Sequence, residues 1–422
     1  MRRPTLSCSP AGRLRVVSHL NPVMLRARLG PRDPHEEHRV ATPLELFFDL
    51  IFVVAISSAA AGWHHGLVEG HYGDVLGFLM VFFAIWWAWM NYTWFASAYE
   101  RDDVVYRLLT FTIMVGALML AAGVPDLFDT GQSVLLVAGY AVMRFAMVAM
   151  WLRAAGGHPE RRHTALRYAG GITVVQLLWI GRLLVDGQGW LTATFWLLVV
   201  AELLVPVVAE RHGVTPFHPH HIAERYALLT IITLGEVILA SVQAVQEALA
   251  QGREQGLLLV IVGGLLVVFS MWWLYFKRDH VPLFERSVRT TFTVGYGHYA
   301  IFASVAATGA GLAAAVDVVQ GEGHTTPRAV GLALGLAVAI YIGALTTMHA
   351  FVGRDRAETL GGTLVVIGAV ATGAVGLPVG TTVLLLGLLL AAAVAHSGLT
   401  QRRREPISLP EPGLAERGPA RP

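Results

Sequence analysis

Long apolar segments recur along the whole chain and alternate with short polar loops that contain glycine or proline. A helix needs about 20 mostly apolar residues to cross a membrane. The pattern therefore predicts an all-α fold, a polytopic membrane helix bundle of about 12 transmembrane helices. We place these helices at 44–63, 75–95, 104–123, 133–152, 168–185, 190–208, 226–244, 257–276, 293–316, 329–350, 361–376 and 380–398.

The basic residues lie mostly on one side of this pattern. Of the 31 Lys and Arg residues, only Arg182, Arg253 and Arg328 belong to the odd-numbered loops, and only Arg144 lies midway along a helix. Positively charged segments near membrane helices stay on the cytoplasmic side. The asymmetry predicts that both termini are cytoplasmic.

The two halves of the chain resemble each other. Trp86-Trp87 in the second predicted helix recurs as Trp272-Trp273 in the eighth. Asp49 and Glu236 likewise lie midway along apolar runs in the first and seventh. We interpret this as two parallel six-helix repeats, an arrangement known in transporters, with chance similarity of apolar sequences as the alternative.

The chain then divides into five parts. They are a basic disordered tail at 1–43, a first repeat at 44–208, a cytoplasmic connecting loop at 209–225, a second repeat at 226–398 and a basic tail at 399–422. Only 14% of the residues are charged and the net charge is +2, so a nucleic-acid partner is not expected. The single cysteine, Cys8, excludes disulfides within the chain and any metal site built from several cysteines.

Ionisable residues inside the apolar segments are the candidate functional residues. A charge at the membrane centre costs about 2.5–3.5 kcal/mol, so such residues mark functional sites by default. The candidates for an ion or proton pathway are Asp49, Glu236, Glu45, Glu202 and Arg144. We expect Glu236 to be the deepest acid and Glu45 to lie near the surface, where Thr42 and Pro43 predict a capped helix start.

Two interpretations of these residues stay open. In the first, Asp49 and Glu236 converge on a shared interior and bind cations or protons. In the second, the charged residues form buried ion pairs that hold helices together. Structural pairing is the favoured interpretation for Arg144, which has several acids as possible partners.

Histidines and aromatic residues add weaker signals. Two groups, His64, His65, Glu69 and His71, and His212, His218, His220 and His221, have a composition that can bind zinc, but polar loops are the favoured interpretation. Trp86, Trp87, Trp89, Tyr92 and Trp94 are interpreted as an interfacial aromatic belt, with a stacking ligand site as the alternative. No soluble-enzyme motif is present in the sequence, so we expect no enzyme activity, no cofactor and no metal.

The most specific signals are two motifs. The segment from Thr42 to Val53, Thr-Pro-Leu-Glu-Leu-Phe-Phe-Asp-Leu-Ile-Phe-Val, and the segment from His221 to Glu236 resemble signatures of the bacterial low-temperature-requirement A (LtrA) family. The departure is Tyr226-Ala227, where Phe-Gly is usual. The resemblance implies a multi-pass protein of the bacterial inner (plasma) membrane linked to growth in the cold. It marks Glu45, Asp49, His221, Glu224, Arg225 and Glu236 as family positions.

Three functional hypotheses follow. The first is a transporter or channel for a small cation or proton that uses the buried acids. The second is a non-transport membrane protein that supports growth or stress response at low temperature, with ion pairs as structural contacts. The third is an intramembrane enzyme, for which His64, His65 and His71 are the candidates. The expected partners are the lipid bilayer and small cations or protons.

Overall fold

The computed structural model describes residues 29–402 except 38, 185–186, 251, 253–255 and 353–355. Of the predicted tails at 1–43 and 399–422, residues 1–28 and 403–422 lie outside the described residues. The described part is helical throughout, with fourteen α-helices: α1 Pro43–Glu69, α2 Asp74–Tyr99, α3 Val104–Ala122, α4 Val124–Thr130, α5 Val134–Gly157, α6 Arg162–Gly181, α7 Gln188–Ala209, α8 Pro219–Ala250, α9 Leu257–Phe276, α10 Val281–Glu285, α11 Val288–Gln320, α12 Pro327–Val352, α13 Arg356–Ala374 and α14 Val379–Arg402.

These helices form a multi-pass membrane protein. By length and composition, 11 spans in the described residues are apolar enough to cross a membrane. Of the twelve predicted spans, the fifth corresponds to α6, which is not among the 11. This helix starts earlier than predicted, and its first turns carry Arg162, His163 and Arg167. The predicted break near Pro378 is confirmed, because α13 and α14 are separate helices.

Polar contacts place the ends of the helices together at one end of the bundle, which we call the basic end. Arg153 of α5 donates to Asp103 before α3 at 2.8 Å. Lys277 after α9 donates to Glu358 of α13 at 2.7 Å. The starts of α1 and α8 also lie at this end. The loops that sequence analysis assigned to one side of the membrane therefore meet in the structure.

The start of α1 is fixed by its own sequence. Thr42 is the N-cap, its side chain accepts the backbone N–H of Glu45, and the Glu45 carboxylate reaches back to the Thr42 N–H. This capping box satisfies two of the orphan donors of a helix start, and Pro43 at the first position has no N–H to satisfy. The predicted helix start is confirmed.

The start of α8 differs from the prediction. The helix begins at Pro219, so 219–225 is helical and the connecting loop is shorter than predicted. The polar residues His221 and Arg225 made this stretch resemble a loop, yet both are fully buried against other helices. Both side chains are buried together with oppositely charged partners, and this explains why a polar sequence can continue a membrane helix.

The helices of the two halves pack in the same order, but corresponding side chains differ in how far they are buried. In each half the first long helix packs on the third and the third on the fourth, as in α1, α3 and α5 and again in α8, α11 and α12. The paired tryptophans show the difference, because Trp87 is fully buried whereas Trp273 is 54% exposed. Trp86, Trp89 and Tyr92 are buried too, so the predicted interfacial belt on α2 is wrong. These side chains fill the centre of the bundle.

Small residues bring α12 and α13 into close contact. A Cβ added at Gly335 would lie 2.5 Å from the carbonyl oxygen of Ala369, and one added at Gly331 would lie 3.0 Å from that of Gly373. Small residues four apart let two helix backbones approach in lipid, where dispersion contacts stabilise the pair.

We expect Gly335→Ala to lower the stability of the protein by about 1–3 kcal/mol, because the new methyl group overlaps a rigid backbone oxygen. Gly170→Ala on α6 is the matched control, since a Cβ there meets nothing within 4 Å. Thermal unfolding in detergent compares the two. Equal melting temperatures would contradict the proposed contact.

Candidate functional site

A cluster of charged residues joins the first helix of each half near the basic end. We call Arg39, Glu45, Asp49, His221 and Arg225 the ion-pair cluster; each of the five is at most 5% exposed. Arg225 on α8 holds both acids of α1, with Nη1 3.0 Å from Glu45 Oε1 and Nη2 2.5 Å from Asp49 Oδ1. One guanidinium thus compensates two carboxylates that burial would otherwise destabilise.

Glu45 uses its two oxygens differently. Oε2 accepts the Thr42 N–H at 2.8 Å and so belongs to the cap of α1. Oε1 faces the cations, with Arg225 at 3.0 Å, His221 Nε2 at 3.1 Å and Arg39 Nη2 at 3.5 Å. The predicted capping role is confirmed. The side chain is fully buried within the protein, and it lies at the third residue of α1, near the end of the helix.

Asp49 lies in a dry environment. Oδ1 accepts the indole N–H of Trp89 at 2.7 Å in addition to the contact with Arg225. Oδ2 is buried and has no hydrogen-bond partner in the described residues. A buried acceptor without a partner is costly, so this oxygen is the least stabilised polar atom of the pair.

Glu224 completes the set of marked positions on α8. Its carboxylate accepts the backbone N–H of Ala41 at 3.1 Å, just before the α1 cap. It also faces a cavity of about 440 Å³ at the basic end, whose wall includes Arg39, His218 and His280. Burial lowers the pKa of His280 to about 4, so this ring is neutral at pH 7.

A second buried ion pair lies within the first half. Arg144 of α5 donates to Glu202 of α7 at 2.6 Å, and the same carboxylate accepts Tyr140 O–H at 2.8 Å and Trp87 N–H at 2.9 Å. The predicted structural pairing of Arg144 is therefore confirmed. Three donors saturate Glu202, which lies apart from the ion-pair cluster on different helices.

Glu236 lies midway along its helix, as expected, but its side chain is not enclosed. It is the eighteenth of the 32 residues of α8, is partly exposed, and faces a cleft of about 210 Å³ that extends toward the end opposite the basic end, together with His64, Glu247 and Asp317. His64 and Asp317 lie 2.6 Å apart in this cleft. That Glu236 is the acid deepest in the membrane stays a prediction.

Asp49 and Glu236 do not meet at one point, but both lie along the contact between α1 and α8. Arg225, which binds Asp49, is eleven residues from Glu236 on α8, so the two are about 16 Å apart along the axis and on the same face after about three turns. On α1, Ile56 and Ala60 continue the face of Asp49 into the cleft. Phe52 and Leu229, each 1% exposed, fill the stretch between.

The histidine groups give no metal site. Within the described ranges, no group of three His, Cys, Asp or Glu residues is arranged to hold a metal ion. In the first group, His64 pairs with Asp317, and Glu69 pairs with His324. In the second, His221 belongs to the ion-pair cluster, so the interpretation as a polar loop is wrong for this residue.

The sequence identifies the buried acids but not the residues that pair with them. Its patterns predict an interfacial belt for Trp89 and a loop position for Arg225. One signal was available: Glu45 and Asp49 are four residues apart, and so are His221 and Arg225. Residues four apart share a helix face, so two complementary faces were encoded in the two motifs.

Comparison with known proteins identifies the family of the chain. The family model described as "Bacterial low temperature requirement A protein (LtrA)" matches residues 40–397. The chain is also 27% identical over 284 residues to the uncharacterized protein RA0937 of Rhizobium meliloti (strain 1021), which covers 63% of this chain and 67% of that protein. The matched residues include the whole ion-pair cluster except Arg39.

Removal of the central cation is expected to destabilise the protein strongly. Arg225→Gln leaves Glu45 and Asp49 buried without their main partner, and we expect a loss of about 3–5 kcal/mol. Adding Asp49→Asn removes one of the uncompensated charges and should recover part of the loss.

Thermal or denaturant unfolding in detergent measures both variants. Arg107→Gln, which breaks the exposed pair with Asp102, is the control and should leave the melting temperature unchanged. A mild effect of Arg225→Gln, or no recovery in the double variant, would show that the cluster does not stabilise the fold.

Proposed function

The chain belongs to the bacterial low temperature requirement A (LtrA) family, and we propose that it moves a small cation, most simply a proton, along the seam between α1 and α8. The observation that carries the proposal is the placement of two acid-lined cavities at opposite ends of this seam. The ion-pair cluster and a short apolar stretch lie between them.

The apolar stretch that separates the two cavities is short, and this supports a path that opens and closes. Asp49 and Ile56 are seven residues apart, which corresponds to about 10 Å along α1. Ile56 already lines the cleft, and Arg39 already lines the cavity at the basic end. A rotation or shift of α1 against α8 that moves Phe52 aside would connect the two cavities.

The chemistry of the cluster suits proton transfer. His221 Nε2 and Glu45 Oε1 are 3.1 Å apart, within reach of a shared proton. A proton taken up by Glu45 or Asp49 cancels the charge that attracts Arg225, and the freed guanidinium then competes for the remaining carboxylate. Uptake and release would in this way be coupled to the contact between the two halves.

A second candidate function is a non-transport role in supporting growth or stress response at low temperature. The observation in its favour is the ion pairing of the buried acids: Glu45 and Asp49 bind Arg225, and Glu202 binds Arg144. Paired in this way, the acids would serve only as contacts between helices.

We propose further that the protein lies in the bacterial inner membrane with its termini and the basic end in the cytoplasm. The support is the distribution of Lys and Arg. The proposal includes no enzymatic step, and its partners are the lipid bilayer and the transported cation.

Flux through reconstituted protein separates the two functions. With a proton or potassium gradient across liposomes, we expect measurable flux for the wild type and at least a tenfold loss for Asp49→Asn and for Glu236→Gln. Glu236 has no ion pair or hydrogen bond within the described residues, so Glu236→Gln should lose flux without losing stability.

Glu202→Asp is the matched control, since it shortens a buried acid away from the seam and keeps its charge. Flux per folded molecule should be unchanged in this variant. Wild-type liposomes that pass neither ion, or a Glu236→Gln variant with normal flux, would leave the structural role as the better explanation.

A further inference from the structure

An aromatic cavity lies at the basic end, away from the ion-pair cluster. It lies where the first half meets α11 of the second half and measures about 40 Å³. A buried water needs about 10–15 Å³ on this scale, so the space equals about three waters. Six of the twelve residues in its wall are aromatic: Trp94, Phe95, Trp151, Tyr168, Phe292 and Tyr296.

The rings are held in place by one another. Trp151 stacks on Tyr168 at 4.1 Å, and Phe95 meets the Trp151 ring edge-on at 4.8 Å. Across the cavity wall, the rings of Trp94 and Phe292 are nearly parallel, with an interplanar angle of 2° and centroids 6.3 Å apart. Gly295 belongs to the same wall and has no side chain to fill the space beside Trp94.

Glu210 is the charged residue of this wall. Its Oε1 accepts Tyr168 O–H and Thr215 O–H, both at 2.8 Å. Burial raises the pKa of Glu210, and the hydrogen bonds from Thr215 and Tyr168, together with the nearby Arg161, offset that effect only in part. The Tyr296 hydroxyl is buried and has no hydrogen-bond partner among the described residues.

These features together favour an organic cation as the ligand. Aromatic faces attract cations, and the attraction grows when the cation is removed from water. Aromatic walls with a carboxylate bind alkylated ammonium groups, whose methyl groups pack on the rings while the charge is compensated. A hydrated metal ion gains little from apolar rings, and an anion is repelled by Glu210.

We propose that this cavity is a binding site for a small alkylated ammonium ion. Trp94, Tyr296 and their neighbours form the cage, and Glu210 supplies the counter-charge. The site explains the Trp94 side chain, for which a stacking ligand was the alternative to an interfacial belt. It does not depend on the proposed transport function, because binding is measured without any gradient or flux.

Binding to purified full-length protein in detergent tests the site. We expect dimethylammonium and methylammonium, which have three and two heavy atoms, to bind in calorimetric titrations at least tenfold more tightly than potassium or uncharged ethanol. Glu210→Gln keeps the acceptor for Tyr168 and Thr215 but removes the charge, and it should weaken ammonium binding at least tenfold. Glu160→Gln, an exposed acid at the same end, is the matched control.

A second variant tests the shape of the site without changing its charge. In Gly295→Ala the new methyl group lies 3.4 Å from Trp94 and 3.3 Å from the Tyr226 hydroxyl. It should weaken the binding of dimethylammonium several-fold more than the binding of methylammonium. Equal affinity for potassium would indicate an inorganic cation site instead, and unchanged binding in Glu210→Gln or in Gly295→Ala would overturn the proposal.

Discussion

The bridge from Arg225 to Glu45 and Asp49 is the constraint on which the architecture depends. Two carboxylates on adjacent turns of α1 repel each other and lose hydration when they are buried. Arg225 removes both penalties at once, with contacts of 3.0 and 2.5 Å. Because it belongs to α8, the compensation requires the first helices of the two halves to lie side by side. The position of the seam, and of the cavities at its ends, follows from this pairing.

The sequence was sufficient for local features whose causes are local. The apolar runs identified the helices, and Thr42, Pro43 and Glu45 identified the start of α1. It was insufficient wherever the environment of a side chain is decided by distant segments. Nothing near Trp86-Trp87 or Trp272-Trp273 distinguishes them, yet the first pair is buried and the second is exposed. A membrane helix is apolar on every side, so periodicity does not reveal which face meets protein.

The same reason explains the candidate site. Glu45, Asp49, Glu202 and Glu236 were identified as unusual because acids are rare in lipid. The spacing of four residues in both motifs indicates two complementary faces, but it does not determine the individual pairs, because Arg225 resembles a loop residue and several acids compete for Arg144. The structure separates the acids by solvent access: Asp49 and Glu202 are buried and paired, whereas Glu236 faces an open cleft. This difference, which no spacing encodes, distinguishes the enclosed acids from the accessible one.

The double use of Glu45 has a mechanical consequence. One oxygen closes the first turn of α1, and the other neutralises Arg225. Protonation of Glu45 would therefore weaken the cap of α1 and the contact with α8 at the same time. In this way the loss of a single charge would be converted into a displacement of the backbone at the basic end of the bundle.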